Sequence, residues 1–118
     1  AYVINLTSVH AFAGMTEHSV YAANKGAIVA FTREVSLELI QKGIRVNAVS
    51  AGPINTLAAR GISGFTEILG QVAERSPLKR NVELEEVAGT SVFLASNLSS
   101  GITGEVIYVD CGYNIVGL

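Results

Sequence analysis

Tyr21 and Lys25 stand four residues apart in the stretch HSVYAANKGAIVAF, which runs from His18 to Phe31. On a helix that spacing puts both side chains on one face. A free phenol has a pKa of about 10, too high for ready proton exchange near neutrality. A neighbouring ammonium favours the phenolate and lowers that value, so the phenol can then serve as a general acid or base. A core tyrosine beside a snorkelling lysine would give the same pattern. Context adds to the pair. Ser8 lies thirteen positions before Tyr21, just past the strand-like run AYVINL. A hydroxyl there lies where open α/β sheets bind their ligands. The segment VNAVSAGPINT closes the next strand-like run and brings Gly52, Pro53 and Thr56 to the same sheet edge.

The elements that must position these groups alternate along the chain. Ala1 to Leu6 is a short apolar run rich in β-formers, as in a strand buried on both faces of a parallel sheet. FAGMTEHS reads as a loop, and His18 to Lys42 as a helix that Gly43 stops. Ile44 to Ser50 predicts a second buried strand. Leu57 to Arg75 reads as a helix broken by glycines at 61, 64 and 70, and Leu84 to Ser96 as a helix with Leu84, Val87, Ala88, Leu94 and Ala95 on one face. Gly104 to Asp110 predicts a third strand. The order β-α-β-α-α-β argues for a parallel sheet with helices on both faces.

Two apolar stripes run along the 18–42 helix. Val20, Ala27, Ile28, Phe31, Val35 and Leu39 form one; Ala22, Gly26, Val29, Ala30, Leu37 and Ile40 form the other. Tyr21 and Lys25 lie in the seam. A helix apolar nearly all round is expected to be buried on both sides, one stripe on the sheet and the small-residue stripe against a second helix.

Composition narrows the classes. The chain has 118 residues, enough for one small domain, with 49% hydrophobic and only 15% charged. Mean hydropathy is +0.42. No apolar run reaches the roughly 18 residues that span a bilayer, so the apolar excess is expected to meet protein. A net charge of −2 with scattered basic residues offers no nucleic-acid footprint. The single cysteine, Cys111, and two histidines make neither an internal disulfide nor a metal site. A start on a strand, with no initiator methionine or leader, suggests part of a longer protein in a cytoplasmic setting.

Taken together these residues resemble the short-chain dehydrogenase/reductase family. Its hallmarks read here as strand-end Ser8, Tyr21, Lys25, the strand exit VNAVSAG and the closing turn VDCG, in which Cys111 replaces a family glycine. The resemblance covers essentially residues 1–118, as the carboxyl-terminal half of one domain. It implies the α/β fold of a Rossmann-type doubly wound parallel sheet, with the dinucleotide-binding half before residue 1. It also implies roles. Tyr21 would donate to the substrate oxygen, Lys25 would lower its pKa and bind the nicotinamide ribose, and Ser8 would orient the substrate carbonyl. Gly52, Pro53, Ile54 and Thr56 would hold the nicotinamide of NAD(H) or NADP(H). His18, Leu57, Ala58, Ile62 and Phe65 would meet the substrate, with Leu57 to Gly70 as a lid.

Within that family two branches contribute. SVYAANKGAIVAFTREVSLEL is similar to 3-oxoacyl-acyl-carrier-protein reductases or general alcohol dehydrogenases of the family. SAGPINTLAARGISGF, SPLKRNVELEEVA and LSSGITGEVIYVDCGYNIVGL are similar to bacterial enoyl-acyl-carrier-protein reductases. That branch carries its tyrosine seven residues before the lysine, where this chain has His18, and a second tyrosine in the place of Ser8. The resemblance implies an acyl-carrier-bound substrate, fatty acid synthesis, and a homo-oligomer, dimer or tetramer, formed through the 18–42 helix. A non-catalytic binding relative is the further alternative, and the joint presence of Ser8, Tyr21 and Lys25 counts against it. His10 reads as a loop or surface residue, Met15 as a loop residue near the pocket, Cys111 as a buried small hydrophobe and Asp110 as an anchor of the last turn.

Overall fold

A computed structural model describes residues 1–117. Three parallel strands form one sheet in the order β1 (Tyr2–Thr7), β2 (Arg45–Ala51), β3 (Val106–Val109). Thr7 aligns with Ser50, and Ser50 with Tyr108. Each strand starts one or two residues later than the sequence predicts, because the ladder sets the ends and hydropathy does not.

Helix α1 (Ser19–Leu39) connects β1 to β2. A 3-10 turn at Ile40–Lys42 continues it, and Gly43 ends it in the left-handed conformation at φ 71° with its N–H on the Ile40 carbonyl. Helices α2 (Leu57–Arg60), α3 (Phe65–Arg75) and α4 (Leu84–Leu94) connect β2 to β3. The predicted break inside Leu57–Arg75 is present at residues 61–64, between α2 and α3, but not at Gly70, which lies inside the continuous α3.

Alternation along a strand decides which face each helix covers. Thr7 and Asn5 reach α1, through Lys25 O at 2.8 Å and Thr32 Oγ1 at 3.0 Å. The neighbouring parity, with Val49 and Ile107, packs on Val87 and Leu94 of α4 together with Val82 and Cys111. The two helices therefore lie on opposite faces, and the sheet is doubly wound. Arg45 clamps the lower end. Its guanidinium donates to the carbonyls of Leu94, Ser96, Ser99 and Ile102 at 2.9–3.1 Å.

Two expectations about helix faces fail. On α1 the line that meets the sheet runs through Val29, Thr32 and Ser36, not along the stripe from Val20 to Leu39. Val20 is 76% exposed, and Phe31, Leu37 and Ile40 are also exposed. Its sheet-facing line carries polar residues because Thr32 and Ser36 spend their hydroxyls on Ile28 O and Arg33 O. On α4, Leu84 and Ala88 face outward, while Val87 and Leu94 are buried and Ser91 is half-buried. The 87–91–94 line, not 84–88–95, meets the sheet.

Candidate active site

The amino-terminal turns of α1 are fixed against the carboxyl end of β1. Thr7 Oγ1 donates to the Lys25 carbonyl at 2.8 Å, and Lys25 Nζ donates back to the Leu6 carbonyl at 3.2 Å. The same ammonium lies 5.5 Å from the centroid of the Tyr21 ring, within cation–π range. Tyr21 is 45% exposed at the sheet's edge. Ser8, buried, caps the 3-10 turn Val9–Ala11 by accepting from His10 N at 3.3 Å. Its hydroxyl proton is left to donate elsewhere.

These residues open on a cleft of about 350 Å³, the size range of small-molecule sites. One wall is polar: Ser8, His10, His18 and Tyr21. The facing wall is apolar, with Ile62, Phe65, Ile68 and Val72, and the floor includes Gly52 and Pro53. Phe65, Ile68 and Val72 follow i, i+3, i+7 spacing on α3, a signal that reading the segment as a lid left unused beyond Phe65. His10 and Tyr113 also line the cleft. Nothing in the local sequence marks them; they arrive through the fold. Met15 lines it too, as its loop position suggests.

The remaining sequence-predicted residues are placed differently. Thr56 caps α2, its Oγ1 accepting from Ala59 N at 3.2 Å. Ile54 packs on the core cluster around Val49. Leu57, 85% exposed, and Ala58, also exposed, stand outside the cleft lining. A Cβ on Gly52 would lie 3.2 Å from Asp110 Cβ and 3.3 Å from Val82 Cγ1, so its smallness lets β2 run out beneath the closing turn. Asp110 anchors that turn, accepting from Gly112 N and Asn114 N at 3.0 Å. Cys111 is buried beside it, and burial pushes its thiol up, which makes it a poor nucleophile. Among the described residues no cluster of three His, Cys, Asp or Glu could hold a metal, and no helix is long and apolar enough to cross a membrane.

The donor set suits a nicotinamide ribose. An ammonium has three N–H donors, and Lys25 uses one on Leu6 O, leaving two at the carboxyl edge of the sheet. That edge is where doubly wound sheets take dinucleotides.

Comparison with known proteins places the chain in a family. The family model described as enoyl-(acyl carrier protein) reductase matches residues 1–114. The enoyl-[acyl-carrier-protein] reductase [NADH] of Rickettsia felis is 45% identical over 115 residues, which is 98% of this chain and 44% of the relative. The corresponding [NADPH] enzyme of Staphylococcus aureus is 48% identical over 99 residues, 84% of this chain and 39% of the relative. The crystal structure of the Bacillus cereus enoyl-acyl carrier protein reductase with NADP+ and indole naphthyridinone superposes with a TM-score of 0.93 at 44% identity, covering 99% of this chain and 46% of that one. The chain thus spans a little under half the length of the relatives it matches.

Proposed function

Because the chain belongs to the enoyl-(acyl carrier protein) reductase family, we propose that it is the carboxyl-terminal half of a cytoplasmic, nicotinamide-dependent reductase that saturates an enoyl thioester. The observation that carries this reading is the two-sided cleft, with Ser8 and Tyr21 on one wall and the apolar face of α3 on the other. NADH or NADPH supplies the hydride when bound. Lys25 and Tyr21 are the residues that would hold its ribose, and the Gly52–Thr56 loop would hold its nicotinamide.

Tyr21 Oη keeps a proton against the thioester carbonyl oxygen. As charge develops on that oxygen, the phenol and the Ser8 hydroxyl act as preplaced donors, and such donors are typically the largest single contribution to the rate. Lys25 lies over the ring face of Tyr21, within cation–π range, and fixes the side of the ring that would face the cofactor ribose. Phe65, Ile68 and Val72 take the acyl chain and exclude water, which strengthens every polar contact on the opposite wall. The small-residue stripe of α1 and the turn that continues it, with Ala30, Leu37 and Ile40 exposed, pairs with a second copy to give a dimer or tetramer.

A second reading, reduction of a 3-oxoacyl thioester, is favoured by the Ser8–Tyr21–Lys25 spacing, because the hydroxyl then meets the oxygen on the carbon that receives hydride. The test is an assay of the full-length protein with crotonyl and acetoacetyl thioesters, each with NADH and NADPH. Faster crotonyl reduction is expected. Faster acetoacetyl reduction supports the second reading, and turnover of neither overturns both.

A further inference from the structure

Tyr21 is the third residue of α1, half-exposed, and among the described residues its hydroxyl makes no hydrogen bond. Packing alone holds its ring. Lys25 covers one side at 5.5 Å, and His10 meets it edge-on, with centroids 5.3 Å apart and planes at 86°. His10 in turn stacks on His18, 5.3 Å away and 15° from parallel. His18 is fixed by its Nδ1, which lies 2.7 Å from the Thr16 carbonyl. A carbonyl only accepts, so the hydrogen-bond network assigns the proton to Nδ1. The backbone N–H of His10 also donates to Ser8 Oγ. One residue therefore touches both residues that carry the hydroxyls of the polar wall, with its ring against the Tyr21 ring and its backbone N–H on the Ser8 hydroxyl.

We propose that His10 is a positioning residue for the reaction proposed above, holding the Tyr21 phenol at its working angle through a ring train that starts at His18. A phenol on the first turn of a helix has freedom to swing out to solvent, and the edge-on imidazole removes it. Aromatic pairs in this geometry contribute beyond the area they bury.

The train carries a pH signature. The charged and titratable groups around His10 are His18 at the N-cap of α1, Tyr21 on α1 with Lys25 against its ring, Tyr113 across the cleft, and Arg75 beside Val9 in an adjoining small cavity. The α3 wall contributes no titratable side chain to the cleft. Burial first, and then His18, hold His10 below the ordinary histidine value, so it stays neutral at neutral pH. Charging it sets an imidazolium against His18, in a site that already holds an ammonium, and loosens the stack.

The experiment compares full-length wild type, His10→Phe and His10→Ala across pH, with Tyr21 ring-proton shifts measured on the same samples. Wild-type kcat is expected to fall on the acid side with a midpoint below the usual histidine range. His10→Ala is expected to lose about tenfold in kcat with little change in KM, short of the roughly hundredfold that gross misplacement costs. His10→Phe keeps a ring without a charge; it should restore most of kcat, lose the acid limb and leave the Tyr21 shifts near wild type. The proposal is overturned if His10→Ala keeps wild-type kcat and Tyr21 shifts, if His10→Phe keeps the acid limb, or if His10→Phe is as slow as His10→Ala. If wild type reduces neither thioester, the functional reading fails. The Tyr21 shifts still decide the positioning claim, which requires them to move in His10→Ala and not in His10→Phe.

Discussion

Arg45 is the residue whose loss should cost the fold most for the smallest change in volume. It opens β2, and its two terminal nitrogens reach four carbonyls: Ser99 O at 2.9 Å, Ile102 O at 3.1 Å, Leu94 O at 3.0 Å and Ser96 O at 3.1 Å. These carbonyls belong to the end of α4 and the segment that leads from it to β3. Leu94 O lies at the helix end, and each of the four also accepts an internal bond: Leu94 O and Ser96 O from Ser99 Oγ, Ser99 O from Ile102 N, and Ile102 O from Asn47 Nδ2. A hydrogen bond from a charged group contributes about 1.5–3 kcal/mol net. Four such bonds cannot be summed. Each nitrogen serves two acceptors, the side chain is half-buried, and water replaces part of what is lost. Discounting to about half the lower-bound sum gives roughly 3 kcal/mol for Arg45→Met, which keeps the apolar stem. In a protein of 150–250 residues that corresponds to a fall in Tm of about 10 °C. Arg45→Lys, with a compact ammonium in place of the fork, should recover a minor part. Urea unfolding of the full-length protein reads the free energy, and amide exchange should show protection lost first between residues 94 and 102. A change within about 0.5 kcal/mol, the range of ordinary surface substitutions, would refute the clamp.

Other perturbations test the remaining contacts. Tyr21→Phe should reduce kcat by about a hundredfold or more while the melting curve stays unchanged, since the hydroxyl makes no structural hydrogen bond; a near-normal rate removes it from the chemistry. Ala30→Glu, on the exposed small-residue side of α1, should shift the full-length protein to a smaller species on gel filtration, and an unchanged elution volume argues that the stripe is covered within one chain. Glu86 accepts from Arg80 at 2.6 Å and from Glu83 N at 2.7 Å, and these two contacts hold its carboxyl down to about 2. A depressed carboxyl stabilises the fold above its ordinary value of 4.5 and loses that contribution as pH falls towards 2. Glu86→Gln should flatten the Tm profile in that window, weakly and less so in high salt, because the pair is exposed. Gly112→Ala places a Cβ 2.8 Å from Pro77 Cγ at φ 85°, and a loss of about 1–3 kcal/mol is expected by thermal melting.

The fold was legible where one physical requirement dominated. Apolar runs marked all three strands, but only β2 is buried on both faces. Against the expectation of full burial for the first strand, β1 lies at the sheet edge with Tyr2, Val3 and Leu6 exposed, and β3 is half-buried. Gly43 and Gly64 marked helix ends because both adopt the left-handed conformation there, whereas Gly61 ends α2 with an ordinary φ of -75°. Helix faces were less legible. On α1 the buried line runs through Thr32 and Ser36, whose hydroxyls bond within the helix and so pass as apolar surface. A count of apolar residues assigns that line to the outside. The error on α4 has the same origin: Ser91 turns inward on Val87 O while Leu84 and Ala88 point away.

The site shows why the substrate is harder to read than the family. Spacing along one helix brought Tyr21 and Lys25 together, and the strand end brought Ser8, so those positions follow from sequence alone. His10 and Tyr113 join the cleft only through tertiary placement. His18 and Tyr21 are three residues apart, hence on neighbouring sides of one turn, and both line the cleft. Three residues advance about 4.5 Å along a helix axis. A tyrosine at 18, as in the enoyl-reductase branch, would therefore present its hydroxyl about one turn farther from Lys25 than Tyr21 does. The two chemistries differ in the same sense. In a ketone the charged oxygen sits on the carbon that takes hydride, and in an enoyl thioester it sits three bonds away. Family membership favours the enoyl substrate, and the donor's position along α1 favours the nearer oxygen. The cleft joins both positions in a single wall, so comparing crotonyl with acetoacetyl thioester in the full-length protein, and each again in its Tyr21→Phe variant, decides between the two readings.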